Sequence, residues 1–435
     1  MELITADRNS ENWKKPFFLI WIGQAFSLLG SNLVNFALIW WMTQATGSAK
    51  VLAAATAFVY LPRIFLGPFI GALVDRWNRR RIMIIADSAI AAATVGLGLL
   101  FWSGLIEIWH VYIILFLRSL GGTFHFPAMQ ASTTLMVPDE HLPRISGINQ
   151  MLEGGMNIAG PPLGALLLSL LPVYGVLGVD VVTAVFAVFP LFFVLIPQPK
   201  SVNGKQPVSA ASLLRDVKWA VRYMFSWQGL VLVLSISVMA NFLFSPVFSF
   251  LPLLVTEHFH GDVWQLSWIE SIFGIGMIGG GLLLSVWGGF KKRMHTILFG
   301  LFGAGTGILI VGISPESGFA LAMAGLFIAG FTNTLSNGTA FAMLQSIIAP
   351  EVQGRIFSLI MSITSVMAPV GVLVAAPVVE KYGIQSWYVT AGLVTLLMVS
   401  IAYFIPSVIN IEDAKGLILP QFEVEQTQVC GDFAA

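Results

Sequence analysis

The chain has 435 residues, of which 57% are hydrophobic and 10% are charged, and its formal net charge is zero. Soluble domains carry about 25% charged residues, so water is not the main solvent of this protein. A nucleic-acid partner requires a basic face that neutralises phosphates, and the balanced charge argues against one. The one cysteine, Cys430, rules out an intrachain disulfide and argues against a cysteine-based metal cluster.

Apolar segments of 18 or more residues recur along the whole chain. Such segments cross the roughly 30 Å hydrocarbon core of a bilayer as helices, since about 20 helical residues are needed. The residues do not alternate as in an outer-membrane barrel, so we predict an all-α integral membrane protein. The twelve predicted transmembrane helices cover residues 17–42, 51–73, 82–103, 109–134, 145–171, 176–197, 226–255, 265–289, 295–313, 319–348, 356–379 and 387–407.

Basic residues predict the orientation of these spans. If the N-terminus is cytoplasmic, eighteen lysines and arginines lie on the cytoplasmic side, whereas only Lys50 and Lys381 lie outside. This asymmetry follows the positive-inside rule. We therefore predict a multi-pass protein of the cell membrane with both termini in the cytoplasm.

A polar segment divides the spans into two groups of six. Residues 198–222 contain prolines, a glycine, serines and five basic residues, which is typical of a cytoplasmic linker ending in a surface helix. The predicted organisation is an N-terminal six-helix bundle at 1–197, a cytoplasmic linker at 198–225, a C-terminal six-helix bundle at 226–408 and a cytoplasmic tail at 409–435.

Similar segments in the two groups indicate an internal repeat. Gly71–Arg81, after span two, resembles Gly281–Arg293, after span eight, at an offset of 210 residues. Val137–Ser146, after span four, resembles Ala349–Ser358, after span ten, at an offset of 211 to 212 residues. The agreeing offsets predict parallel repeats related by a pseudo-twofold axis along the membrane normal, an architecture in which the substrate site lies between the halves.

Three short motifs carry a resemblance to a known family. The first motif, Gly71-x-x-x-Asp75-Arg76-x-x-Arg79-Arg80-Arg81, lies between spans two and three. It resembles the signature loop that the major facilitator superfamily has at this place. The second motif, Arg118-x-x-x-Gly122, resembles the membrane-embedded arginine motif of the superfamily. The third, Gly160-Pro161-x-x-Gly164, resembles the proline-glycine motif of its exporters. Residues 13–408 as a whole resemble the macrolide-efflux branch of the drug/proton antiporters, which indicates a bacterial protein.

The resemblance implies the major facilitator fold of two six-helix bundles. It also implies a conformational latch at the cytoplasmic helix ends, formed by Gly71, Asp75, Arg76 and Arg80, and an exporter motif, formed by Gly160, Pro161 and Gly164. The alternative for the charged cluster is that it only fixes the topology. Asn78 stands where the family commonly has glycine, and Ser285 replaces the acid of the second copy, so only the first half carries the full latch.

Charged residues inside the spans are candidates for proton coupling, because each costs about 2.5–3.5 kcal/mol on insertion scales. Arg118 in span four and Glu153 in span five are predicted at similar depth, where they could pair. Glu153 lies in a polar stripe with Asn149 and Asn157. We hypothesise that Glu153 exchanges a proton for a cationic substrate, and the alternative is a static Arg118–Glu153 bridge.

Other polar residues in the first half have less specific interpretations. Arg63, near the middle of span two, is a second candidate with the same two readings. Asp180 is also counted as a coupling candidate, although its position one turn into span six favours a helix cap. His125 is interpreted as a packed histidine rather than a proton relay, and Asp87 as a structural partner of the basic cluster.

Polar side chains at a spacing of about four residues follow spans one and seven, which occupy equivalent repeat positions. The resemblance implies that these helices line the central cavity. We therefore assign Gln24, Ser31, Asn35, Asn241 and Ser245 on these spans to substrate binding, together with Asn149 and Asn157 of the polar stripe in span five. The alternative is that small polar residues only allow close helix packing.

The sequence has no Gly-x-x-x-x-Gly-Lys-Ser/Thr segment, so ATP is not predicted as the energy source. No spacing of histidines and acids suggests a metal site or a hydrolase. We predict a monomeric, non-enzymatic transporter without cofactor or metal, which uses the proton gradient to export lipophilic, cationic drugs, macrolides first, by alternating access. The alternatives are an exporter of an endogenous lipid or siderophore, and a membrane receptor or scaffold without transport.

Overall fold

The computed structural model describes residues 4–5, 13–197, 222, 224–225, 227–348 and 350–412. Most of the predicted linker and tail, residues 198–221 and 413–435, lie outside the described residues. Nearly all of the described chain is helical. Besides the turns that connect the helices, it contains a pair of two-residue parallel strands, β1 (Ile4–Thr5) and β2 (Val194–Leu195).

Twelve long helices make up the described fold. They are α1 (Lys14–Thr46), α2 (Ala49–Arg76), α3 (Arg79–Ser103), α4 (Ile108–Met136), α5 (Leu142–Leu170), α6 (Val173–Phe193), α7 (Gln228–Ser249), α8 (Val263–Trp287), α9 (Arg293–Ile313), α10 (Phe319–Ile347), α11 (Pro350–Tyr382) and α12 (Gln385–Tyr403). Short helical turns cover Asp139–His141, Leu251–Leu253, Leu254–His258 and Pro406–Ile409.

Within the described residues, eleven of these helices are long and apolar enough to cross a membrane. The exception is α5, which carries Arg144, Asn149, Glu153 and Asn157. The predicted all-α membrane fold is therefore confirmed, and the helices are consistent with the twelve predicted spans.

The residues at the helix ends explain where several helices stop and start. Gly47 ends α1 and Gly104 ends α3, both in the left-handed conformation, with φ of 56° and 70°, that favours glycine. Asn78 begins α3, because its side chain accepts a hydrogen bond from the backbone N–H of Arg81 at 3.1 Å. Asn78, which departs from the family's signature loop, therefore serves here as a helix cap.

The chain divides into two compact units. The first unit comprises Met1–Pro207, Phe248–Ser271 and Val372–Ile384, and its core includes Phe17, Met83 and Leu191. In this unit α4 packs against α2 and α3, while α6 packs against α1 and α3. These helices position the polar clusters described below.

The second unit comprises Val208–Val247, Ile272–Gly371 and Gln385–Ala435. Its core includes Leu230, Met294 and Met343. Within it α8 approaches α10 so closely that a Cβ at Gly280 would lie 2.0 Å from the carbonyl oxygen of Phe331. Small residues permit this contact between membrane helices.

Candidate functional site

A buried ion pair joins α4 and α6 in the first unit. Arg118 Nη1 lies 2.6 Å from Asp180 Oδ2, and the two side chains are only 6% and 2% exposed. The Thr94 hydroxyl on α3 accepts a hydrogen bond from Arg118 at 2.5 Å and lies 3.2 Å from Asp180 Oδ2. The Ser31 hydroxyl on α1 donates to Asp180 Oδ1 at 3.2 Å. Four helices are thus connected through one neutralised pair, which we name the outer layer.

The predicted bridge between Arg118 and Glu153 is wrong. Arg118 pairs with Asp180 instead, because α4 lies against α2 and α3 and reaches α6 rather than the polar stripe of α5. The helix cap favoured for Asp180 is also wrong. Helix α6 begins at Val173, so Asp180 lies two turns inside it, at the depth of Arg118.

Glu153 and Arg63 remain without a partner in the part of the chain that the structure describes. Both residues are exposed, and neither makes a hydrogen bond or an ion pair with another described residue. Because Glu153 does not pair with Arg118, proton exchange is the interpretation that remains for its carboxylate, and the structure does not test it. Asn157, one turn further along α5, is likewise exposed.

A second polar cluster lies on three of the same helices. Gln24 Nε2 on α1 donates to Asp87 Oδ2 on α3 at 3.0 Å, and His125 Nε2 on α4 lies 3.3 Å from Asp87 Oδ1. Asp87 is 6% exposed, and Gln24 is also buried. We name these three residues the inner layer.

The inner layer corrects the interpretation of Asp87 as a partner of the basic cluster. Arg79 of that cluster instead donates to the Ala131 carbonyl oxygen at 2.9 Å. His125 is not simply packed among apolar side chains, since it contacts a carboxylate. Gln24, assigned to substrate binding from the sequence, is occupied by Asp87.

The two layers are related by a regular spacing. Each of three helices contributes one residue to each layer, and the two residues are seven positions apart: Ser31 and Gln24 on α1, Thr94 and Asp87 on α3, Arg118 and His125 on α4. Seven residues are almost two helical turns, so the layers lie on the same helix faces, about 10 Å apart. This spacing is visible in the sequence, but its meaning depends on which helices are neighbours.

The remaining substrate-binding candidates lie in varied settings. Asn149 accepts a hydrogen bond from Trp21 Nε1 at 2.7 Å, which joins α5 to α1. Asn241 is exposed and donates to the Ser237 carbonyl oxygen of its own helix at 3.0 Å. Asn35 is exposed, and Ser245 is half-buried. Contact with substrate stays a prediction for all of them.

The basic segment at the start of α3 bonds to the ends of neighbouring helices. Arg80 Nη2 donates to the Phe192 carbonyl oxygen at 2.8 Å, and its Nε donates to the Leu191 carbonyl oxygen, both in the last turn of α6. A cation is favourable there, because the last carbonyls of a helix lack partners and the helix dipole is negative. Gly71, Asp75 and Arg76 lie in α2, but their side chains lie outside the described residues, so the latch stays a prediction.

The exporter motif lies within α5, where Pro161 is inside the helix. Gly164 is buried against α1, and a Cβ added there would lie 2.6 Å from Phe36 Cδ1. A Cβ at Gly160 would meet nothing within 4 Å. Of the two glycines, Gly164 is the one that close packing requires.

From the sequence, Glu270 of α8 is interpreted like Asp180, as an acid only a short way into its span. This half-buried carboxylate makes no hydrogen bond or ion pair with another described residue. The exposed side chains of α8 include Trp268, Ile275 and Leu282, which are seven residues apart. Glu270 lies on the opposite face, about 200° around the helix from Trp268. The stripe of apolar residues was the signal that this acid faces inward.

The first unit has a further charged contact near the end of α11. Lys50 forms an ion pair with Glu380, and the Ser48 hydroxyl donates to Glu380 at 3.1 Å. A pocket of about 430 Å³ is lined by Thr43, Gln44, Gly47, Thr256, Glu257, His260 and Gly261. The contacts of Lys50 and Ser48 with Glu380 connect the start of α2 with the last turn of α11.

Comparison with known proteins identifies the family. The family described as transmembrane secretion effector matches residues 13–426. The chain belongs to this family of the major facilitator superfamily. The resemblance predicted from the sequence is therefore confirmed. Because eleven of the described helices are long and apolar enough to cross a membrane and the relatives are bacterial, the chain is a multi-pass bacterial membrane protein.

Relatives and solved structures extend over most of the chain. Macrolide efflux protein A of Streptococcus pyogenes is 35% identical over 398 residues, which cover 91% of this chain and 96% of the relative. The multidrug efflux pump Tap of Mycobacterium bovis is 23% identical over 429 residues, covering 96% and 98%. A bacterial homologue of the human lysosomal transporter Spinster has a TM-score of 0.68 at 13% identity, covering 95% and 99%, which supports the fold.

Proposed function

We propose that this protein exports lipophilic drugs, macrolides first, from a bacterial cell by proton antiport with alternating access. The observation that carries the proposal is the 35% identity to a protein named macrolide efflux protein A over 91% of the chain. The name of the more distant relative, multidrug efflux pump, favours the same class of cargo. Both termini lie in the cytoplasm in this proposal, and the protein works as a monomer that needs neither cofactor nor nucleic acid.

Within the proposal, Glu153 is the carboxylate that contacts a cationic substrate or a proton. Charges in membrane spans are costly and are usually paired, so an acid without a fixed cation is available for exchange. Glu153 has no such cation among the described residues, whereas Asp180 is neutralised by Arg118. Asp75 and Arg76 act as the latch that breaks when the protein changes its access, and Arg63 contributes a second positive charge.

A drug-susceptibility panel in a host that lacks its own pumps tests the proposal. Expression of the protein should raise the inhibitory concentration of a macrolide such as erythromycin, and a protonophore should abolish the increase. Glu153→Gln should reduce the increase, whereas Glu140→Gln, a matched change in the exposed turn before α5, should not.

No change in susceptibility to any compound of the panel would contradict drug export. An increase that survives the protonophore, while the cells remain energised by ATP, would contradict proton antiport. If cells that lack this protein grow poorly, and growth recovers when synthesis of an endogenous lipid or siderophore is blocked, the cargo belongs to that class instead.

A further inference from the structure

The two polar layers of the first unit differ in how their charges are balanced. In the outer layer the Arg118 guanidinium and the Asp180 carboxylate neutralise each other at 2.6 Å, with Thr94 and Ser31 as further partners. Arginine keeps its proton in proteins, and this carboxylate has a fixed cation. The outer layer therefore contains its own counter-ion.

The inner layer lacks a permanent cation. Asp87 is buried, and among the described residues its one donor with good hydrogen-bond geometry is the neutral amide of Gln24, at 3.0 Å. His125 Nε2 lies 3.3 Å from the other carboxylate oxygen, is itself buried, and makes no well-formed hydrogen bond within the described residues. A carboxylate buried in this way requires a positive partner or a proton.

A single proton can supply that balance. Histidine is the side chain whose ordinary charge change falls between about pH 5 and 8. When both ring nitrogens carry protons, the His125 imidazolium donates from Nε2 to Asp87 and the pair is neutral. When one of these protons leaves, the pair carries a net negative charge, and Gln24 is the other donor to Asp87 among the described residues. We propose that Asp87 and His125 form the proton-binding site through which the proton gradient drives export.

The charged groups that the structure describes around the pair do not compensate for its charge. From α4 and α6, Arg118 and Asp180 neutralise each other about two turns away. From α3, Arg79 donates to the Ala131 carbonyl oxygen, and from α2, Arg63 is exposed and forms no ion pair with Asp87 or His125. Helix α1 contributes the neutral Gln24. The charge of this layer therefore depends on one proton.

The site is placed to couple protonation to helix movement. Hydronium on the outer side transfers a proton to the imidazole, which breaks one O–H bond and forms one N–H bond. Release to water on the cytoplasmic side breaks that N–H bond and forms an O–H bond, so the cycle needs no oxidant and no other reactant. Departure of the proton weakens the contact of α4 with α3 and leaves Asp87 dependent on α1. The inference rests on the proposed proton antiport and gives the driving proton a site distinct from the substrate-contacting Glu153.

The test uses purified full-length protein in proteoliposomes with radiolabelled erythromycin as the probe. One assay measures accumulation driven by a pH gradient, and a second measures counterflow without a gradient, which requires binding and alternating access but no net proton movement. His125→Gln and Asp87→Asn should each lower driven accumulation by about tenfold or more, because neither variant can form the protonated His125–Asp87 pair. Counterflow should stay within about twofold, as for a neutral change at a distant site.

His110→Gln is the matched control, because His110 lies on the same helix and its ring accepts a hydrogen bond from the Glu107 backbone N–H in a capping box. Glutamine preserves such a cap, so both activities should remain. Wild-type counterflow should also change between about pH 5 and 8, and this change should be absent from His125→Gln.

Normal driven accumulation in either inner-layer variant would overturn the proposal. Equal loss of accumulation and counterflow in both variants would show a structural role and overturn it as well, as would wild-type counterflow that does not depend on pH. Wild-type protein that performs counterflow but never accumulates probe in a pH gradient would contradict the proposed antiport itself, and the proton site with it.

Discussion

Neutralising Asp180 should destabilise the first unit strongly. In Asp180→Asn the Arg118 guanidinium, 6% exposed, keeps its positive charge but loses its carboxylate partner at 2.6 Å. Removing one member of a buried pair costs about 3–5 kcal/mol, because the remaining charge is uncompensated. At roughly 2 °C per kcal/mol, the midpoint of thermal unfolding should fall by at least about 6 °C.

In the assay, detergent-solubilised protein is heated to a series of temperatures, and size-exclusion chromatography measures the fraction that remains folded. Asp262→Asn is the matched control. Asp262 lies just before α8 and accepts hydrogen bonds from the backbone N–H groups of Trp264 and Gln265 in its first turn, and asparagine caps a helix equally well. The double variant Arg118→Met with Asp180→Leu should recover most of the loss, since well-packed apolar residues can replace a buried pair.

Two results would refute this reasoning. One is an Asp180→Asn protein that unfolds at the wild-type temperature, which would mean that Arg118 has another partner. The other is a double variant whose loss equals the sum of the two single losses, because independent effects add whereas paired residues show a coupling energy.

Two further predictions concern local packing and capping. Gly164→Ala should lower the midpoint of thermal unfolding, because the added Cβ would lie 2.6 Å from Phe36 and overpacking costs about 1–3 kcal/mol. Gly160→Ala should not lower it, because a Cβ there would meet nothing within 4 Å. Equal effects of the two changes would refute the assigned contact between α1 and α5. Asn78→Ala should lower the free energy of unfolding by about 1 kcal/mol, because it removes the cap of α3. The midpoint of thermal unfolding should therefore fall in Asn78→Ala and be restored in Asn78→Ser. Equal midpoints in the two variants would contradict the capping role.

The helices were predictable because hydropathy reports composition directly. The predicted span 319–348 agrees with α10, which runs from Phe319 to Ile347. Span 226–255 extends beyond α7, because the chain breaks into a short helix with Pro252 and a π-helical turn that contains Leu254 and Val255. These residues are apolar, so composition could not mark the break.

The partners of the buried charges were less predictable. Sequence position gives the depth of Arg118 along its helix, but Glu153 and Asp180 both lie at a compatible depth, and the choice between them depends on which helices are neighbours. The packing of α3 against both α4 and α6 decides for Asp180. The spacing of seven residues between Arg118 and His125 was present in the sequence, whereas the meeting of His125 with Asp87 required the fold.

Macrolide-induced proton movement in wild-type proteoliposomes tests the central claim most directly. A pH-sensitive dye trapped inside the vesicles reports protons that cross the membrane when erythromycin is added to one side. The proposed antiport predicts proton movement in the direction opposite to the drug, abolished in protein-free vesicles and in vesicles made leaky to protons. Erythromycin transport without any accompanying proton movement would contradict it.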